Sequence, residues 1–138
     1  MFNSWNKFNR SGFHTLYAED APKIAIFNYA KKGFASPPAD HYLRPFSLAV
    51  EYSSLKANSE DHCVGDRLET NLVLDYVRQF SDVYKDEKTF AFAFLTRLTH
   101  DSVNRAGAAD ELHFRFLDGL RKSGRLNNTA VVYFRLVF

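Results

Sequence analysis

The side chains of this sequence best placed to do chemistry are Thr99, His100, Asp101 and Asn104. They follow closely on the apolar run Thr89-Phe90-Ala91-Phe92-Ala93-Phe94-Leu95. A histidine in such a place can donate to an oxygen of a phosphate or sulfate, and it can move a proton near neutral pH. The loop beyond the carboxyl end of a parallel strand is where open α/β sheets gather ligands. A plainer reading stands beside this one: His100 and Asp101 cap the next segment and bond within their own loop.

Other groups carry weaker signals. Glu19 and Asp20 are adjacent carboxylates at the end of an expected strand. They suit a hard cation, or equally a solvated or helix-capping role. Arg44, in Asp40-His41-Tyr42-Leu43-Arg44-Pro45, could meet an oxyanion or form a structural salt bridge. His14, His41, His62 and His113 lack the paired spacing of metal ligands. Ser102 and Cys63 stand outside any G-x-S-x-G nucleophile elbow, and the scattered glycines make no phosphate-binding loop. Cys63 is the only cysteine; it is a packed or free thiol, or its partner lies in sequence outside this chain. Asn9-Arg10-Ser11 and Asn127-Asn128-Thr129 are glycosylation triplets, relevant only in a secretory setting.

The elements that must position these groups follow from hydrophobic period. A short helix is expected over residues 4–11, capped by Ser4 and ended by Gly12. Residues 13–18 read as a strand, 23–32 as a helical turn, and 34–45 as a loop broken by Ser36-Pro37-Pro38. Residues 53–65 are polar and irregular. Leu68, Leu72, Tyr76, Phe80 and Val83 recur at helical spacing, so residues 68–84 read as an amphipathic helix. The run at 89–95 suits a strand buried on both faces. A second amphipathic helix is expected over 108–123, then another buried-type strand over 129–134. Strands alternating with helices argue for an α/β fold with a mainly parallel sheet covered on both faces.

Composition excludes several classes. Hydrophobic residues at 46% and charged residues at 25% describe a globular chain, not a disordered one. Aromatics at 16% imply a sizeable core or an apolar surface. The charge of +2 is spread without a basic block, which speaks against a nucleic-acid partner. No apolar run is long enough to form a membrane segment, and the first residues do not read as a signal peptide. The oligomeric state has no sequence signal.

Several stretches together resemble a sulfatase-like family of animal proteins, numerous in nematodes, within the alkaline phosphatase superfamily. They are Gly12-Phe13-His14-Thr15-Leu16-Tyr17-Ala18-Glu19-Asp20, Phe27-Asn28-Tyr29, Lys32-Gly33-Phe34 and Pro37-Pro38-Ala39-Asp40-His41-Tyr42-Leu43-Arg44-Pro45. Leu98-Thr99-His100-Asp101-Ser102-Val103-Asn104 and Leu126-Asn127-Asn128-Thr129 complete the set, in order along the chain. The resemblance implies a partial three-layer α/β/α sandwich over residues 1–138. It implies a family of sulfuric or phosphoric ester hydrolases with a divalent metal (calcium, zinc or magnesium) in full-length relatives. It also implies relatives that are extracellular, secretory or membrane-anchored. The family's nucleophile segment and its Asp-His-Gly metal segment do not occur here, so the chain is expected to lack catalytic activity alone. His100 looks like the family's substrate-anion histidine, with Asp101 beside it and Asn104 close by. The alternative is an anion- or sulfated-glycan-binding module, or activity confined to a longer product.

Overall fold

The computed structural model describes residues 4–134. Helix α1 (Ser4–Arg10) ends where Gly12 takes φ +79°, a left-handed turn that an L side chain resists. Ser11, Gly12 and Phe13 donate backbone N–H groups back to Phe8 and Asn9, which closes the helix and aims the chain into β1 (His14–Glu19). A turn-rich segment leads to β2 (His41–Tyr42) and α2 (Arg44–Glu51), in which Pro45 sits within the first turn, where its missing N–H costs nothing. Helix α3 (Ser54–Ala57) is capped by Ser53 Oγ, which accepts from Lys56 N at 3.1 Å. A hairpin of β3 (Cys63–Val64) and β4 (Arg67–Leu68) turns through Gly65 at φ +63°. Then come α4 (Glu69–Val83), β5 (Thr89–Phe94), a 3-10 turn (Val103–Ala106) and α5 (Gly107–Lys122).

The main sheet is parallel, in the order β2-β1-β5. Strand β1 is its centre, and Thr15, Leu16, Tyr17, Ala18 and Glu19 are each wholly out of solvent. Its period-2 alternation feeds two cores. Leu16 and Ala18 pack with Leu43, Val73 and Phe80 beneath α4. Tyr17 turns to the opposite face, against Trp5, Phe27, Phe34, Tyr42 and Phe92. Trp5 anchors that second core: its Nε1 donates to Leu16 O at 3.1 Å and its ring lies 4.9 Å from Tyr17. Asp40 ties the start of β1 to the loop before β2, accepting from Thr15 N and Thr15 Oγ1, each at 2.9 Å.

The α/β class, the parallel sheet and both long helices agree with the sequence reading. Four stretches differ. Helix α2 and the β3–β4 hairpin arise in stretches read as loop or left unassigned, since each is too short to show a period. Strand β5 is not buried on both faces: among the described residues it is an edge strand, and its exposure alternates from Thr89 to Phe94. Phe90 and Phe92 turn into the Trp5 core, whereas Ala91 and Ala93 stay exposed. The alternation of large and small side chains carried this information, and counting alanine simply as apolar hid it. Residues 129–134 form no strand; they are irregular and exposed.

Removing Trp5 tests the account of the second core. Trp5→Ala deletes a buried ring and leaves Leu16 O without its donor, so a loss of about 3–5 kcal/mol is expected. Val83→Ala, on an exposed position of α4, is expected to change stability by less than about 0.5 kcal/mol. Urea unfolding followed by circular dichroism gives both values, and similar midpoints for the two variants would refute the packing described.

Candidate functional site

The carboxyl ends of β1 and β5 meet at one charged edge. Asp20 follows directly on β1 and is buried. Its carboxylate accepts the backbone N–H of Thr96 at 2.9 Å and of Arg97 at 3.2 Å. One side chain thus fastens the loop after β5 to the end of β1. Burial pushes the Asp20 carboxyl up to about 6; the two amide donors pull it back, and the nearby Glu69 adds to the rise.

Arg97 extends the connection sideways. Its Nε donates to Glu69 Oε2 at 2.9 Å, and its Nη2 pairs with Glu51. Glu69 also takes Lys56 Nζ at 2.7 Å, and Glu51 takes Lys23 Nζ at 3.3 Å. Glu69 opens α4, where the helix dipole favours a negative charge. Two acids and three cations therefore bind α2, α3, α4 and the loop after β5 together. Only Lys23 is largely exposed, so most of this network escapes the screening that weakens surface pairs.

Glu19 and Asp20 do not share a ligand-ready face. Glu19 is wholly buried, accepts the Tyr17 hydroxyl at 2.6 Å and the Asn28 amide at 3.3 Å, and lies 3.7 Å from Arg44. Burial raises its carboxyl above the ordinary range, while Tyr17 and Arg44 oppose that rise. Arg44 also donates to Pro22 O, so its role is the structural salt bridge. Among the described residues no group of His, Cys, Asp and Glu is arranged to hold a metal ion. The nearby acids are engaged by arginine, lysine, tyrosine and amide donors, which does not fit a calcium, zinc or magnesium site.

His100 and Asp101 stand on the loop that Asp20 fastens. His100 Nδ1 lies 2.8 Å from Asp101 Oδ1. A carboxylate only accepts, so Nδ1 carries a proton, and Nε2 is the ring nitrogen left for another partner. The His100 hydrogen bond leads the interactions that hold the Asp101 carboxyl below its usual range. The structure thus joins two of the four residues singled out in this loop. Asn104 lies in the 3-10 turn, exposed, and no hydrogen bond ties it to the pair among the described residues.

Sequence reasoning missed the neighbours. The β3–β4 hairpin brings Asp61 and His62 against Arg105 of the 3-10 turn: Arg105 Nη1 is 3.5 Å from Asp61 Oδ2 and contacts His62 Nε2. Arg105 and His62 both act on the charge of Asp101. His62 has φ +65° and a buried Nδ1 without a hydrogen-bond partner. Its one sequence signal was Gly65 shortly after it, a turn residue that folds the hairpin back. Cys63, partly buried in β3, has a free thiol.

The two glycosylation candidates separate. The Asn9 amide donates to both Asp40 oxygens, at 2.8 and 3.0 Å, so it serves the start of β1. Asn127 is exposed in the turn after α5.

The Asp20 clamp has a pH signature. Its folded value lies above the ordinary value of 3.8, so the folded state holds the proton more tightly than the unfolded chain does. The stability from this group is full below pH about 4 and is lost as pH rises through about 6, roughly 3 kcal/mol in all. Asp20→Asn cannot ionise. The stability of the natural protein minus that of Asp20→Asn is therefore expected to fall across this window, read from denaturant unfolding at stepped pH. Parallel curves for the two proteins would remove the clamp from the account.

A family model described as a protein of unknown function, DUF229, matches residues 4–135. No curated protein and no solved structure matches the chain.

Proposed function

The chain belongs to the DUF229 family, and we propose that it is a sulfatase-like domain segment that binds a sulfate or phosphate ester oxygen without turning the ester over by itself. The observation that carries this reading is the His100–Asp101 pair, 2.8 Å apart on the loop beyond the carboxyl end of β5. In an open parallel sheet this is where ligands gather. The paired carboxylate fixes the orientation of the imidazole through Nδ1 and leaves Nε2 as the ring nitrogen that meets a ligand. Arg105, close enough to lower the Asp101 carboxyl, adds a permanent positive charge beside the pair. The family resemblance of Leu98-Thr99-His100-Asp101 supports the same role for His100.

Ester hydrolysis needs an activated nucleophile and strong stabilisation of the developing oxyanion. His100, Asp101 and Arg105 offer binding and orientation, and none of them is an activated nucleophile. The reading therefore separates recognition, carried by this loop, from turnover.

Calorimetric titration with inorganic sulfate and with inorganic phosphate, at low salt, tests the proposal. Saturable binding with Kd in the millimolar range, about −4 kcal/mol, is expected. His100→Ala and Arg105→Ala are each expected to weaken it at least about fivefold, near 1 kcal/mol. Flat titrations of the natural protein would end the binding reading. In parallel, p-nitrophenyl sulfate and p-nitrophenyl phosphate are expected to show no turnover with added calcium, zinc or magnesium. Metal-dependent turnover abolished by His100→Ala would instead make the chain an enzyme in its own right.

A further inference from the structure

We propose that His62 is a positioning residue for the anion site at His100: proton uptake by its buried ring releases Arg105 from the hairpin to the His100–Asp101 pair. The inference rests on the recognition reading of that pair and adds its regulation. His62 stands just before β3 and is buried. Its φ of +65° is a left-handed conformation that histidine adopts more readily than most residues. The backbone here is pinned on both sides: Glu69 N donates to His62 O at 2.9 Å, and Lys56 Nζ donates to Cys63 O at 2.9 Å. The ring therefore stays in place when its charge changes. Arg105 has a side chain 45% exposed and is the partner that moves.

His62 Nε2 faces an acceptor and a donor at once. Asp61 Oδ2 lies 2.9 Å away, and Arg105 Nη1 contacts the same nitrogen. A carboxylate only accepts and a guanidinium only donates, so one ring nitrogen cannot serve both. With the proton on Nδ1, Nε2 accepts from Arg105, and this is the contact that the structure holds. With a proton on Nε2, Asp61 is served and Arg105 is opposed. Nδ1 is buried without a hydrogen-bond partner, so no second contact fixes the tautomer and the choice falls at Nε2. A second proton on the ring settles that choice for Asp61 and sets a positive charge against the guanidinium.

Arg105 then loses both of its holds on the hairpin. Its Nη1 is 3.5 Å from Asp61 Oδ2, the oxygen that the charged ring claims, and Asp61 Oδ1 already takes His62 N at 3.1 Å. Lys56 of α3 and Glu69 of α4 face the same turn, but they pair with each other at 2.7 Å, and Glu69 also holds Arg97. The next carboxylate is Asp101, four residues before Arg105 and near enough for Arg105 to lower its carboxyl. There the guanidinium offsets a charge that opposes an incoming anion, and its remaining N–H groups stand beside His100. Anion binding therefore strengthens as pH falls.

Calorimetric titration with inorganic sulfate at about pH 8 and about pH 5 spans the range in which histidines change charge. Sulfate is the probe because a phosphate ester gains a proton of its own in that window. His62→Gln keeps an acceptor within reach of Arg105 and cannot be protonated; His62→Asn withdraws the acceptor and suits the left-handed backbone. The natural protein and His62→Gln are expected to bind sulfate equally at the higher pH. At the lower pH the natural protein is expected to bind at least about threefold tighter than His62→Gln. His62→Asn frees Arg105 at both values, so at the higher pH it is expected to bind at least about threefold tighter than the natural protein. His100 and Asp20 are common to all three proteins, so their own protonation cancels in the comparison. The side-chain N–H resonance of Arg105 reads the release without a ligand: it is expected to shift in step with the His62 ring in the natural protein and to stay in place in His62→Gln. Sulfate curves that run parallel for the natural protein and His62→Gln overturn this inference and leave the recognition reading standing. An Arg105 resonance indifferent to His62 protonation in the natural protein overturns it even where a variant folds poorly. Titrations flat at both pH values remove the anion site, and its regulation with it.

Discussion

The complete burial of β1 is the constraint on which the rest of the structure depends. A central parallel strand has no face toward water, so every polar atom it carries to its carboxyl end must find a partner within the protein. Thr15, Glu19 and Asp20 are the polar members of this stretch, and each one recruits a distant segment. Thr15 holds the loop before β2 through Asp40. Glu19 gathers Tyr17, Asn28 and Arg44, and its own carbonyl takes the Ser47 hydroxyl at 2.9 Å. Asp20 takes the loop after β5. Desolvation is therefore an organising force here. The cost of hiding these groups is offset only when particular loops occupy particular places.

The loop bearing His100 inherits its position from that requirement. Its first residues are held by Asp20, and the Arg97 side chain is held by Glu69 and Glu51. Those acids belong to α4 and α2, so both helices are tied to the loop. Beyond Arg97 the restraint weakens. Leu98 is buried, yet Thr99, His100 and Asp101 return to solvent. A fixed stem with an exposed tip suits recognition: the stem limits the entropy lost on binding, and the tip stays accessible. The hairpin that carries His62 approaches the same tip from the other side, and Arg105 is the contact between them.

Much of this was legible in the sequence. The amphipathic stripe of Leu72, Tyr76 and Phe80 gave α4 to within a residue or so at each end, since a long period averages out local noise. The strand His14–Glu19 and the order of helices and strands gave the parallel sheet. His100 and Asp101 were visible because they follow a strand end. The pairing of Glu69, Glu51 and Arg97 was not. These residues lie 28 and 46 positions apart, and ion pairs over such distances leave no local pattern. Asp61, His62 and Arg105 were missed for the same reason. The role of Glu19-Asp20 was readable only as a choice between a cation and a cap. Burial decided it in a third way, by turning both acids inward.

The centre and one edge of the sheet make a last point about what periodicity can carry. Strand β5 was read as buried on both faces because its run is apolar throughout, whereas β1, which carries Thr15 and Glu19, is the strand that is wholly buried. They differ in volume. Strand β1 carries Leu16 and Tyr17 on its opposite faces and is filled on both. Strand β5 carries Phe90 and Phe92 on one face and Ala91 and Ala93 on the other, and these alanines stay exposed although α4 packs against both strands. A side chain as small as alanine leaves a shallow surface that an overlying element can approach closely. The same residues that make β5 look like core in a hydrophobicity count therefore leave the Ala91 and Ala93 face exposed among the described residues. An apolar run states that water is to be excluded from it; whether the rest of the same chain does the excluding depends on where its other elements are anchored.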